Sequence, residues 1–207
     1  MSQTSAPDLT WPSLSLSLAE WAALPEDEPG ELIDGKLEEE EVPDSIHEVI
    51  VSWLIGALRA WIIARGGLVL GSEAKFAVKP TRGRKPDVSV FLPGSRKPPR
   101  RGAISTPPDI AIEVVSPTPR DGRRDRVEKL EEYAAFGVRW YWIVDPAFGS
   151  LEIFEASPAK RYTHVLAATR GVVSPVPGCE GLTLDLDAMW AEVERLGPED
   201  EAEEPGG

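Results

Sequence analysis

The 207-residue chain has one cysteine, Cys179, and two histidines, His47 and His164. A lone cysteine closes no internal disulfide, and this set is too small for a Cys/His zinc finger, so a reducing compartment is expected. Residues 1–10 place no basic residue ahead of an apolar stretch, which is not the pattern of a secretory signal. The longest mostly apolar run, residues 49–64, contains Ser52, Gly56 and Arg59. A membrane span needs about 20 apolar residues. Also missing are a GxxxxGK phosphate loop, GxGxxG, GxSxG and HExxH, which disfavours nucleotide hydrolysis, dinucleotide binding, the common serine hydrolase site and the common zinc protease. No internal repeat is present. These absences describe a soluble, cytoplasmic protein without a membrane partner, and the length fits one domain, residues 1–196, followed by an acidic tail, 197–207, expected to be disordered.

Positive charge is scarce overall and concentrated where it occurs. The net charge is −13, yet residues 79–129 hold 13 of the 22 Lys and Arg against 6 acids. Residues 26–48 carry 11 acids with one lysine, and residues 192–204 carry 7 acids with one arginine. The middle of the chain is the part suited to a polyanion.

The local patterns predict an α/β (α+β) fold. Ser17 and Glu20 have capping-box spacing and start a first helix; Asp34-Gly35 supplies a tight hairpin turn between Glu31-Leu-Ile and Lys36-Leu-Glu. Ser45 and Glu48 repeat the capping-box spacing and open a buried helix to about Arg65, ended by Gly66-Gly67. Strands are predicted at 68–71, 74–78, 87–91, 110–115, 139–144, 151–154 and 162–166, with helices at about 122–136 and 187–196.

The informative side chains are carboxylates. Asp87 opens a strand directly after Pro86. Strand alternation puts Ile110, Ile112 and Val114 on one face and Ala111, Glu113 and Val115 on the other, giving Glu113 apolar neighbours. If Asp87 and Glu113 lie on neighbouring strands, two charges about 4 Å apart repel by roughly 4 kcal/mol at an effective dielectric of about 20. A hard cation, Mg²⁺ or Mn²⁺, is the natural counterion. On a helical wheel Lys129 falls between Tyr133 and Phe136 on the apolar side, while Asp125, Glu128, Glu131 and Glu132 share the polar side. Lys129 then either snorkels to water or meets a carboxylate inside.

The ordered series Gly35, His47, Pro86-Asp87-Val88-Ser89-Val90, Ile112-Glu113-Val114-Val115-Ser116-Pro117, Lys129-Leu-Glu-Glu-Tyr133 and 137–146 resembles the Uma-two family of restriction endonucleases, within the PD-(D/E)XK nucleases. The resemblance spans residues 11–184. It implies a restriction-endonuclease-like core, a central mixed β-sheet flanked by helices, with Asp87 and Glu113 as metal ligands and the Val114 carbonyl as a third. The superfamily lysine expected two residues after Glu113 is Val115 here, and Lys129 on the following helix occupies the matching place. His47, Glu73 and Tyr133 are accessory candidates, His47 being expected neutral at its helix N-terminus. The expected activity is metal-dependent endonucleolytic hydrolysis of DNA by Asp87, Glu113 and Lys129, with a catalytically degenerate module that binds DNA or a protein as the alternative. Lys79, Arg82, Arg84, Lys85, Arg96, Lys97, Arg100, Arg101, Arg123 and Arg124 are the expected nucleic-acid contacts, and a homodimer is the expected assembly.

Overall fold

A six-stranded mixed sheet forms the centre of the protein. The computed structural model describes residues 15–25, 30–38, 43–116 and 124–197; Arg123 and the tail beyond Gly197 fall outside them. The elements are α1 (Leu18–Ala23), β1 (Glu31–Ile33), β2 (Lys36–Glu38), α2 (Ser45–Ile62), β3 (Leu68–Leu70), β4 (Phe76–Lys79), β5 (Arg82–Arg84), β6 (Val88–Phe91), β7 (Ile110–Val114), a π-helical turn (Arg124–Lys129) running into α3 (Leu130–Phe136), β8 (Trp140–Asp145), β9 (Ser150–Ala156), β10 (Tyr162–Ala168), β11 (Val172–Val173), β12 (Leu184–Asp185) and α4 (Leu186–Val193). The central sheet has the order β10-β9-β8-β7-β6-β3. Only β7 and β8 run parallel in it, joined through the π-helical turn and α3.

The predicted alternation along β7 is observed. Ile110, Ile112 and Val114 join Ile50, Leu54, Leu58 and Ile62 of α2 and Met189 of α4 in one core. Ala111 and Val115 point the other way, into a second core with Phe76, Tyr133 and Tyr141. Each fully buried Leu or Ile contributes about 1.5–3 kcal/mol, so two-sided burial is what fixes the register of β7. The segment Ser45–Arg65 is long and apolar enough by composition to cross a membrane. Its apolar stripe is spent on the core, with Ile50, Leu58 and Ile62 fully buried.

Three local readings need correction. Strand β5 was not expected, and with β4 it leaves the central sheet for a separate four-stranded sheet, β2-β1-β5-β4. That sheet is sealed by α1, whose Trp21 ring lies where a side chain on Gly83 would stand, 2.2 Å from an added Cβ. The N-cap of α2 is Asp44, one residue before Ser45, and its carboxylate accepts from His47 N at 2.8 Å. The third helix begins, among the described residues, as a π-helical turn, which shifts the phase of every side chain before Leu130. The capping box of α1 and the Asp34-Gly35 turn are as predicted, with Ser17 and Glu20 bonded reciprocally and φ of 49° and 80° in the turn.

Candidate active site

Register brings the two carboxylates together. β6 and β7 pair Val88 with Ile112 and Ser89 with Ala111, so one more step sets Asp87 opposite Glu113. Asp87 is half-buried; its Oδ2 accepts from Val114 N at 2.7 Å and lies 3.2 Å from His47 Nε2. Glu113 is buried, and both of its oxygens are engaged: Oε2 by Lys129 Nζ at 2.9 Å, Oε1 by the Tyr133 hydroxyl at 2.7 Å. Lys129 therefore does not snorkel. It is buried among carboxylates, 3.1 Å from Asp125 and 3.9 Å from Glu31.

Two members of this cluster were missed. Asp125 stands on the polar side of an ideal wheel but is buried here, one π-helical turn before Lys129, and π-helical turns are frequent at functional sites. Its four-residue spacing to Lys129 was the available signal. Glu31 was read only as a hairpin residue, whereas it is fully buried: Oε2 lies 2.5 Å from Arg84 Nη1 and Oε1 accepts from Lys85 N at 3.0 Å. Nothing in a three-residue strand marks such a contact. Glu132, also assigned to the polar side, binds Arg84 Nε at 2.7 Å and pairs with Arg82.

Burial sets the electrostatics. Desolvation pushes the Glu113 carboxyl well above 4.5 despite Lys129, with Asp87, Asp125 and Glu31 pushing the same way. Asp125 is raised for the same leading reason. At Glu31 burial pushes up, but Lys129 and Arg84 outweigh it and the carboxyl is lowered. Burial lowers His47, yet the hydrogen bond and charge of Asp87 prevail and raise it. The helix N-terminus alone does not decide its protonation.

The expected nucleic-acid contacts divide sharply. Arg84 is fully buried between Glu31 and Glu132, Lys85 is buried with its Nζ on Glu73, and Arg124 is buried, so none of the three presents a surface charge. Arg82 is tied to Asp34 and Glu132, and Lys79 lies 3.5 Å from Glu132. Arg96, Lys97, Arg100 and Arg101 are exposed but lie in the β6–β7 loop, at the end of the sheet away from Asp87. Glu73 is exposed and pairs with Lys85. The structure joins Asp87, Glu113, Lys129, Tyr133 and His47, and separates the basic loop from them.

A divalent ion fits this donor set. Glu31, Glu113 and Asp125 surround the Lys129 ammonium, Asp87 stands opposite Glu113 on the neighbouring strand, and the nearby Arg84 is shared between Glu31 and Glu132. The excess negative charge is what a hard cation offsets. Among the described residues no three His, Cys, Asp or Glu side chains form a cage. Mg²⁺ is commonly held by one or two carboxylates and completes its shell with water or substrate oxygens.

With this geometry in view, the relatives become informative. The model of the Uma2 family, described as "Putative restriction endonuclease", matches residues 17–187. The chain belongs to the Uma2 family. The crystal structure of a "putative nuclease" from Anabaena variabilis superposes with a TM-score of 0.66 at 20% identity, covering 86% of this chain and 99% of that one. Uma2 membership and this shared architecture agree on a restriction-endonuclease-like fold. No curated protein matches the chain.

Proposed function

We propose that this Uma2 protein is a Mg²⁺- or Mn²⁺-dependent endonuclease that hydrolyses phosphodiester bonds in DNA. The observation that carries the reading is the Asp87–Glu113 pair at the end of β6 and β7 with the Lys129 ammonium 2.9 Å from Glu113. Asp87, Glu113 and the Val114 carbonyl are the residues that would hold the ion. Bound there, the ion would supply Lewis-acid polarisation of the phosphoryl group and lower the pKa of water. Lys129 brings a fixed positive charge to a water-poor site, where negative charge growing on phosphorus oxygens is stabilised far more than in bulk water. Asp125 and Glu31 keep that ammonium in place, Tyr133 orients Glu113, and His47 orients Asp87.

One observation favours a second reading, a nuclease fold that binds without cutting: both Glu113 oxygens are already occupied by Lys129 and Tyr133. Supercoiled plasmid and single-stranded DNA incubated with the protein, with and without Mg²⁺ or Mn²⁺, separate the two. Cleavage that needs the metal and disappears in Asp87→Asn supports the nuclease. DNA binding with no cleavage under either metal supports the binding module.

A further inference from the structure

The end of the central sheet opposite Asp87 and Glu113 gathers positive charge from segments far apart in sequence. The β6–β7 loop brings Arg96, Lys97, Arg100 and Arg101, all exposed. Lys97 Nζ donates to the Gly66 carbonyl at 2.9 Å, which draws the loop to the turn after α2 and the exposed Arg65. At the start of β8, Arg139 lies over the Trp140 ring, and its carbonyl accepts from Ala156 N at 2.8 Å. That bond places the β9–β10 turn, with exposed Lys160 and Arg161, beside it. Among the described residues the acids at this end are few: Glu155 pairs with Arg139, Asp109 receives Leu92 N, and Glu180 is exposed. Among the described residues no carboxylate pairs with Arg96, Lys97, Arg100, Arg101, Lys160 or Arg161.

We propose that this basic row is a docking surface for the phosphate backbone of double-stranded nucleic acid, separate from the candidate active site. The row follows the ends of six strands, which at about 4.8 Å per spacing is a width of roughly 24 Å. A duplex presents about seven phosphates per strand over that length. No aromatic residue stands in the loop from Leu92 to Ala103, and Trp140 is buried under Arg139, so neither offers the stacking platform that single strands use. The same loop exposes no large apolar side chain to anchor in a lipid surface.

The four steps along the strand from Asp87 to Phe91 separate the row from the carboxylates by about 13 Å. Phosphates held by the row are therefore not the phosphate at Asp87 and Glu113. The surface acts as a sequence-independent anchor, and it stands whether or not the chain cuts.

The test is fluorescence anisotropy of a labelled 20-base-pair DNA duplex with the full chain in chelator, so that cleavage plays no part. Reversing the loop (Arg96→Glu, Lys97→Glu, Arg100→Glu and Arg101→Glu) should weaken binding at least tenfold at 50 mM salt and flatten the log–log salt dependence by about three to four, near 0.9 per lost phosphate contact. A second variant, Arg139→Glu with Lys160→Glu and Arg161→Glu, should also weaken binding, and its independent position guards against a misfolded loop variant. A single strand of equal length should bind less tightly. The proposal is overturned if both variants keep the parent's affinity and salt slope, if the parent fails to bind duplex at low salt, or if it binds phosphatidylserine vesicles in preference to duplex.

Discussion

The two ends of β6 and β7 use charge in opposite ways. At the Asp87 end, acids and bases are buried and paired with one another: Lys129 sits among Glu113, Asp125 and Glu31, and Arg84 bridges Glu31 and Glu132. At the other end, the basic residues are exposed and mostly lack acidic partners. The sequence presents both as one basic stretch. What distinguishes them is burial, since a charge taken out of water must be paired, shifted or used, whereas an exposed charge costs little and acts at a distance.

The sharpest way to break this comparison is to remove a cation from each end. Arg84→Met leaves Glu31 and Glu132 without their shared guanidinium and should cost about 3–5 kcal/mol in urea unfolding, as for other broken buried pairs. Arg100→Ala should stay within about 0.5 kcal/mol. Equal costs at the two positions would erase the distinction.

The next effect concerns Glu113, raised chiefly by burial. Because its folded-state pKa lies above the ordinary 4.5, the native chain keeps this proton after the unfolded chain has lost it. Stability from this group therefore falls as pH rises from about 4.5 toward the raised value, and Glu113→Gln should remove that fall and raise the metal-free melting temperature. Mg²⁺ at 100 times its dissociation constant should stabilise the parent by about 2.7 kcal/mol and the variant much less. Thermal scans with chelator and with added metal measure both effects; an unchanged metal response in Glu113→Gln would take Glu113 out of the ligand set. A smaller effect at the same carboxylate is Tyr133→Phe, which deletes one hydrogen bond to Glu113 and should cost about 1.5 kcal/mol in the same scans. A variant as stable as the parent would mean that this bond contributes nothing.

Much of the site was legible because it lies on regular elements. Alternation along β7 gave the environment of Glu113, while the position of Lys129 between Tyr133 and Phe136 marked it as a lysine on an apolar face and left open whether it snorkels or turns inward. What was hidden depended on departures from regularity or on long-range packing. The π-helical turn carries Asp125 inward against the ideal wheel. The second sheet carries Glu31 and Arg84 into contact although 53 residues separate them, and no local pattern encodes that pairing. The basic residues were identified by composition, but the burial of Arg84 follows from β5, the strand that was not expected.

The most direct measurement is cleavage of a labelled duplex with Mg²⁺ over a range of substrate concentrations, comparing the parent, Asp87→Asn and the four-residue loop reversal. Division of labour predicts that Asp87→Asn loses the rate at saturation, by at least a hundredfold, while its duplex affinity stays within a few fold. The loop reversal should instead raise the concentration needed for saturation and keep the saturated rate. If Asp87→Asn cleaves at the parent's saturated rate, the carboxylate end is not the site of chemistry and the account is wrong.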